Sequence, residues 1–169
     1  MITKATELNI EVDEQDNVIG VRPNKDFITG KHIHRSSHLL LYNSKCELLL
    51  QKRVPTKYWS PNKWSFSVSG TVMDESYEEC IHRETQEEIG ITVSATFLCK
   101  FPVFFANDKS FHAVYIGKSD APLTPDWTEM SEVRWITESA VIAEVKNNPD
   151  AFAPGFVECM RKTNNLKNK

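Results

Sequence analysis

The sequence predicts a mixed α/β domain in which helices cover a central sheet. Two observations predict it. Segments with the two-residue period of a half-buried strand stand before, between and after helical stretches. One mid-chain segment also carries both the start and the stop signals of a helix. The chain has 169 residues, 40% hydrophobic and 25% charged, which suits one ordinary globular domain, so residues 1–169 are read as a single unit.

The elements follow in order. Leu8, Ile10 and Val12 alternate with polar residues, Asp13 to Asn17 turns the chain, and Val18 to Val21 returns, so residues 1–30 form an N-terminal β-hairpin extension closed by Pro23. From His34 to Tyr42 the chain is strand-forming, Asn43-Ser44-Lys45 turns it, and Cys46 to Leu50 runs back toward Gln51-Lys52-Arg53. A proline-bearing loop, 54–62, leads to a short strand over 64–68. Ser76 with Glu79 three residues later is a capping box, and Gly90 is a helix-stopping glycine, which sets a helix between them. Strands are expected at 91–101, 110–116 and 132–136. A helix follows at 138–147, and another begins near Pro154, a residue suited to a first helical turn.

Bulk composition excludes several classes. Lys plus Arg number 20 against 23 Asp plus Glu, a net charge of −3, so no concentrated basic face marks a dedicated nucleic-acid binder. No apolar run approaches the ~20 residues needed to cross a bilayer. The first residues lack the apolar stretch of a secretory signal. Cysteines 46, 80, 99 and 159 form no C-x-x-C pair and read as reduced thiols, so the expected location is cytoplasmic.

The informative segment is 70–91. At about 100° per residue, Glu84 and Glu88 lie ~40° apart on the helix and Glu87 ~60° to the other side of Glu84. The arc they share also holds Tyr77, Cys80 and Ile81, so a face that docks inward becomes acidic toward its end. Like charges at i, i+4 repel, and acids near a helix C-terminus oppose its dipole. A hard divalent cation reverses that cost, because oxygen ligands are what it seeks. A solvated acidic face is the alternative, and spacing alone leaves both open.

Gly70 through Ile91 resembles the signature of the Nudix (MutT-like) hydrolases, Gly-x₅-Glu-x₇-Arg-Glu-apolar-x-Glu-Glu-x-Gly-apolar. Glu75, Arg83, Glu84, Glu87, Glu88, Gly90 and Ile91 fall on its positions. Two departures stand out. Gly70 is one residue too close to Glu75, unless Ser69 takes the glycine position, and Thr85 replaces a larger apolar residue. The order His34-Arg35, 39–41, 48–53, 61–64, with 132–135 and Phe152-Ala153-Pro154, is similar to the subgroup of YfcD-like hydrolases and type I isopentenyl-diphosphate isomerase.

The resemblance implies an α/β/α sandwich with a mixed central sheet. It also implies Mg²⁺-dependent cleavage (Mn²⁺ as substitute) of a nucleoside-diphosphate-linked or other small diphosphate substrate by water attack on phosphorus. It makes Glu84, Glu87 and Glu88 the metal shell, Glu87 and Glu88 also catalytic, and Arg83 the residue that fixes the carboxylates, with Glu75 as its partner. A later loop acid has four candidates: Asp108, Asp120, Asp126 and Glu129. Lys52 and Arg53, at a strand end, are candidates to neutralise substrate phosphates. Tyr58, Trp59, Phe104 and Phe105 are candidates to stack a base or to fill core and rim.

Two rivals are weighed. An isopentenyl-diphosphate isomerase of this fold uses a cysteine just before a Gly-His, where this chain has Ser69 and Thr71, and a hydroxyl is a poorer proton carrier than a thiol near neutral pH. A non-catalytic nucleotide-binding sensor typically loses the box glutamates, all present here. His32, His34 and His38 suggest a metal site, but hydrogen-bonded strand histidines are the simpler expectation. Cys80 is expected to be inert and His82 to lie at the surface. The sequence leaves the oligomeric state open, with the N-terminal hairpin a candidate for exchange or pairing with a second copy in a homodimer.

Overall fold

The computed structural model describes residues 7–167, with side chains described for 7–163. Strands β1 (Leu8–Val12) and β2 (Val18–Pro23) form the expected antiparallel hairpin. Asp13 turns it, its carboxylate accepting the N–H groups of Gln15 and Asn17, each at 2.9 Å. Asp16, at the turn, has a left-handed φ of 65° and turns its carboxylate inward. There it accepts from Arg35 Nε at 2.7 Å and the Tyr77 hydroxyl at 3.1 Å, and pairs with Lys100. This buried acid ties the turn of the hairpin to the body of the domain.

A four-residue helix, α1 (Asn24–Phe27), buries Phe27 completely and was not foreseen, being too short to show a period. Strand β3 (Ile33–Tyr42) is the hub of the sheet. It pairs antiparallel with β1 and with β6 (Val68–Thr71), parallel with β8 (Asp108–Lys118), and at its end with β4 (Glu47–Arg53). Beyond β4 stand β5 (Trp64–Ser65) and β9 (Met130–Thr137), and β7 (Ala95–Phe105) closes the other side against β8. One parallel pairing among antiparallel ones makes the sheet mixed.

The apolar run on β3 explains the layers. Leu39 and Leu41 pack with Leu49, Ile81 and Ile89 under helix α2 (Tyr77–Ile89). Leu40, between them, packs with Leu48, Val141, Val145 and Phe156 under α3 (Glu138–Asn147) and α4 (Pro154–Lys167). A strand buried on both faces reads as continuous hydrophobic sequence, and the result is the α/β/α sandwich.

Two expected strands differ. Residues 64–68 are split, because the chain changes partner at Ser67 from β4 to β3. The Ser67 hydroxyl donates to Leu49 O at 2.7 Å and accepts from Leu41 N–H at 2.8 Å, filling the break. The segment expected over 91–101 begins as coil and is strand only over 95–105. Ile91 and Val93 alternate like a strand because both bury against α2, while Thr124 and Asp126 N–H groups cap the carbonyls of Ile89 and Glu88. Helix α4 runs through Lys167, with residues 168 and 169 outside the described residues. All four cysteines are free thiols. Among the described residues, no helix is long and apolar enough to cross a membrane.

Candidate active site

Helix α2 begins as its sequence dictates. The Ser76 hydroxyl accepts from Glu79 N–H at 3.2 Å, and the Glu79 carboxylate accepts from Ser76 N–H at 2.8 Å. Gly90 ends the helix in the left-handed conformation, φ 71°, its N–H donating to Gln86 O. These caps fix where the helix begins and ends, and its buried Cys80, Ile81 and Ile89 set its rotation and so the direction of its acids.

Arg83 is the centre of the acidic face. Its guanidinium donates to Glu75 Oε1 at 2.6 Å, to Glu84 Oε1 at 2.7 Å and to Glu87 Oε2 at 3.2 Å. Burial works against its charge, but the hydrogen bonds with Glu75 and Glu84 outweigh that and hold it protonated more firmly than usual. A planar fork with donors on both sides suits this bridging role.

The three acids expected on one arc have different surroundings. Glu84 packs directly on β6. A Cβ built on Gly70 would fall 2.0 Å from Glu84 Cγ, so Gly70, not Ser69, supplies the bare backbone that the motif glycine requires. Glu88 is buried and accepts from Gln51 Nε2 at 2.9 Å and Ser69 N–H at 3.1 Å, both through Oε2. Burial, helped by the Glu84 charge, pushes its carboxyl up to about 7, against the pull of Ser69 N–H, Lys57 and Arg53. Glu87 is more than half exposed and meets Arg83 from the solvent side. As the side chains stand, no three His, Cys, Asp or Glu among the described residues gather closely enough to enclose an ion. The guanidinium already serves Glu75, Glu84 and Glu87 together. Thr85 turns its hydroxyl back to Ile81 O at 2.6 Å, so the smaller residue is accommodated without an unpaired group.

Glu84, Glu87 and Glu88 stand along one side of a cleft of about 990 Å³. Its other walls carry Arg53 and Lys57 from the β4 end, Tyr58 and Trp59 from the following loop, and Phe105 from the β7–β8 turn. Arg53 and Lys52 part company here. Arg53 enters the cleft and donates Nε to Trp59 O at 2.8 Å, and burial pulls its guanidinium below its usual range. Lys52 points to the opposite face of β4, above the Trp64 ring and 3.6 Å from Glu132, and does not line the cleft. Adjacent strand residues face opposite ways, so only one of the pair can serve this site.

The loop acids separate as well. Asp120 accepts from Ser44 N–H and Asp126 holds the Thr128 turn, and neither is among the residues that line the cleft. Asp108 and Glu129 line it. Glu129 is paired with Lys57, and burial pushes Asp108 up to about 6 although Ser110 and Arg53 oppose the shift.

Lys57 and Ser110 gained no role from the sequence, because nothing local distinguishes them from other loop and strand residues. His32 lies outside the strand and pairs with Glu11 at 2.6 Å. His34 stacks on Trp59, and His38 bonds Ser69 Oγ at 2.9 Å and lies on the Phe66 ring. Phe104 packs edge-on against Phe111, outside the cleft. Cys80 is buried, which raises its thiol well above the usual range, and His82 is exposed.

The fold and this constellation define a class, and comparison with known proteins identifies it. A model of the NUDIX domain matches residues 32–156, and the chain belongs to that family as a Nudix hydrolase. It is 41% identical over 152 residues to the prenyl-diphosphate phosphatase of Methanosarcina mazei, spanning 88% of this chain and 89% of that protein. It is 29% identical to isopentenyl-diphosphate Delta-isomerase 2 of Photorhabdus laumondii, spanning 89% and 88%. A crystal structure from Deinococcus radiodurans matches with a TM-score of 0.80 and 28% identity, covering 92% of this chain and 98% of that one.

Proposed function

We propose that this Nudix hydrolase cleaves the diphosphate of a prenyl diphosphate, using a divalent cation, Mg²⁺ first and Mn²⁺ in its place. The observation that carries the reading is the cleft itself. Glu88 and Asp108, whose carboxyls burial raises, share with Arg53 and Lys57 a cleft rimmed by aromatic surface, and a relative of 41% identity is named for that substrate. Tyr58 and Phe105 are about half exposed at the rim, apolar surface that a hydrocarbon group covers.

The donor set fits a hard cation. Glu84, Glu87 and Glu88 supply oxygen only, and a buried acid at about 7 releases its proton readily to an arriving positive charge. When bound, the cation polarises the phosphoryl oxygens and stabilises the charge that develops on them. The chain's own residues do the rest. Arg53 and Lys57 hold the diphosphate by charge, Arg83 keeps Glu84 and Glu87 oriented, and Gln51 with Ser69 N–H fixes the Glu88 carboxyl. Glu88 is the group placed to take a proton from the attacking water at neutral pH.

Isomerisation is disfavoured by the same geometry, because the Ser69 hydroxyl is engaged with His38 and, among the described residues, no thiol lines the cleft. The test is a panel of isopentenyl, dimethylallyl and geranyl diphosphates beside ADP-ribose and nucleoside triphosphates, with and without Mg²⁺. Phosphate release from the prenyl compounds supports the reading, and turnover confined to nucleotides, or allylic isomer formation, defeats it. A cytoplasmic location completes the reading, checked by cell fractionation. So does a homodimer paired along β2, where Val18, Ile19 and Val21 are more than half exposed on an edge strand, checked by sedimentation.

A further inference from the structure

Helix α4 starts without a capping side chain. Ala153 precedes it, Pro154 has no N–H, and the N–H groups of Gly155 and Phe156 find no acceptor among the described residues. All four residues line the cleft, so a 14-residue helix presents unsatisfied donors and the positive end of its dipole to that space.

Beside that turn lie two buried histidines with unused nitrogens. His112 and His38 are 7% and 6% exposed, both line the cleft, and their ring centres stand 4.3 Å apart. His112 Nδ1 and His38 Nε2 have no hydrogen-bond partner. His112 faces the helix end, since a Cβ on Gly155 would fall 2.9 Å from Nδ1. A buried polar atom left unpaired is costly, so two in one wall point to a polar occupant.

The state of His112 follows from its neighbours. Ser110 Oγ donates to the Asp108 carboxylate at 3.3 Å, so it accepts from His112 Nε2–H at 2.9 Å. That leaves a lone pair on Nδ1, an acceptor, in a ring that burial keeps neutral. Arg53 approaches from β4 and hydrogen-bonds neither Glu88 nor Asp108, the acids whose charges it feels from α2 and β8.

The group that satisfies all of these is an anion that carries one proton of its own. We propose that the first turn of α4, Arg53, His38 and His112 form a subsite for a monohydrogen phosphate group, with His112 Nδ1 accepting a hydrogen bond from the phosphate's hydroxyl. The other oxygens take Gly155 and Phe156 N–H, the Arg53 guanidinium and His38 Nε2–H. The inference rests on the proposed function only for the phosphate's source. Under that reading it is the terminal phosphate of the substrate, with the hydrocarbon lying outward toward Tyr58 and Phe105, and otherwise it is free inorganic phosphate.

The experiment is calorimetric titration of the metal-free full chain at pH 7.5 with inorganic phosphate and, separately, with sulfate, which has the same shape and no proton to donate. Phosphate is expected to bind about tenfold or more tighter than sulfate, the ratio that one buried hydrogen bond sets. In His112→Phe, which keeps a ring and loses the lone pair, that preference is expected to vanish. Equal affinities in the native chain, or an unchanged preference in His112→Phe, overturn the subsite. Should the variant fail to fold, histidine ¹⁵N spectra of the native chain decide. A shift of His112 Nδ1 with phosphate and not with sulfate supports the subsite, and identical responses overturn it. Competition between phosphate and a prenyl diphosphate assigns the subsite to the substrate's terminal phosphate, and simultaneous binding assigns it to free phosphate. If prenyl diphosphates are not cleaved but the phosphate preference persists, the proposed function falls alone. If they are cleaved without that preference, only the subsite falls.

Discussion

Gly70 on β6 and Glu84 on α2 touch so closely that no side chain fits between them: a Cβ on Gly70 would sit 2.0 Å from Glu84 Cγ and 2.5 Å from Oε1. The glycine is required by this contact, not by its backbone angles, since it is absent from the residues of positive φ. Gly70→Ala therefore has to push Glu84 off its position. The expected result is a loss of about 100-fold in kcat/KM, the scale of a misplacement near 1 Å, with a stability loss of ~1–3 kcal/mol from overcrowding. Kinetics and urea melts check it, and an unaltered kcat/KM would show that Glu84 need not lie where it does.

Glu88→Gln preserves the size of the side chain and an oxygen for Gln51 and Ser69 to donate to, while removing the ionisable group. Divalent-cation-dependent turnover should drop by at least ~100-fold with circular dichroism unchanged. A native rate would take Glu88 out of the chemistry.

The same substitution reads the pH dependence of stability. The folded-state carboxyl of Glu88 stands at about 7 against an ordinary 4.5, so its contribution is fully present below pH 4.5 and lost as pH rises through 7. Asp108, raised from 3.8 to about 6, acts with the same sign at lower pH. In metal-free protein the Tm of Glu88→Gln minus that of the native chain should therefore increase between pH 5 and pH 8. A difference that stays flat would mean the buried carboxyl titrates normally.

Arg83→Lys keeps the charge but loses the fork that reaches Glu75, Glu84 and Glu87 together. Apparent divalent-cation affinity is expected to weaken by about 10–100-fold, the usual effect of losing a residue that orients metal ligands. Activity measured across a Mg²⁺ titration gives the answer, and a superimposable curve would assign Arg83 a purely structural role.

Lys52 and Arg53 make a paired comparison. Arg53→Ala removes a cation from the cleft and should raise KM for a diphosphate substrate about tenfold or more. Lys52→Ala removes a surface pair with Glu132 and a contact with the Trp64 ring, both outside the cleft, and should leave KM within about twofold. Equal effects on KM would contradict the opposed directions of the two side chains.

Much of the site was legible because its information is local. Ser76, Glu79 and Gly90 fix the ends of α2, and 3.6 residues per turn then fixes where Glu84, Glu87 and Glu88 lie around it. Arg83 with Glu75 was likewise legible, and their 2.6 Å contact is present. The apolar alternation of the strands announced a mixed α/β domain, although alternation misled at 91–94, where coil buries its apolar residues as a strand would.

What the sequence by itself determined is the class of protein and the helix that carries its acids, since caps, helical period and motif spacing act over a few residues. Only the tertiary structure decided that Glu88 is buried while Glu87 is exposed, that Arg53 and not Lys52 enters the cleft, and that Asp108 and Glu129 are the loop acids lining it. It alone brought His38 and His112 together, through the parallel pairing of β3 with β8, and set the open end of α4 beside them. Register between distant strands fixes which side of a strand faces inward, and that pairing is settled by the packing of the whole sheet against its helices, not by any short run of residues.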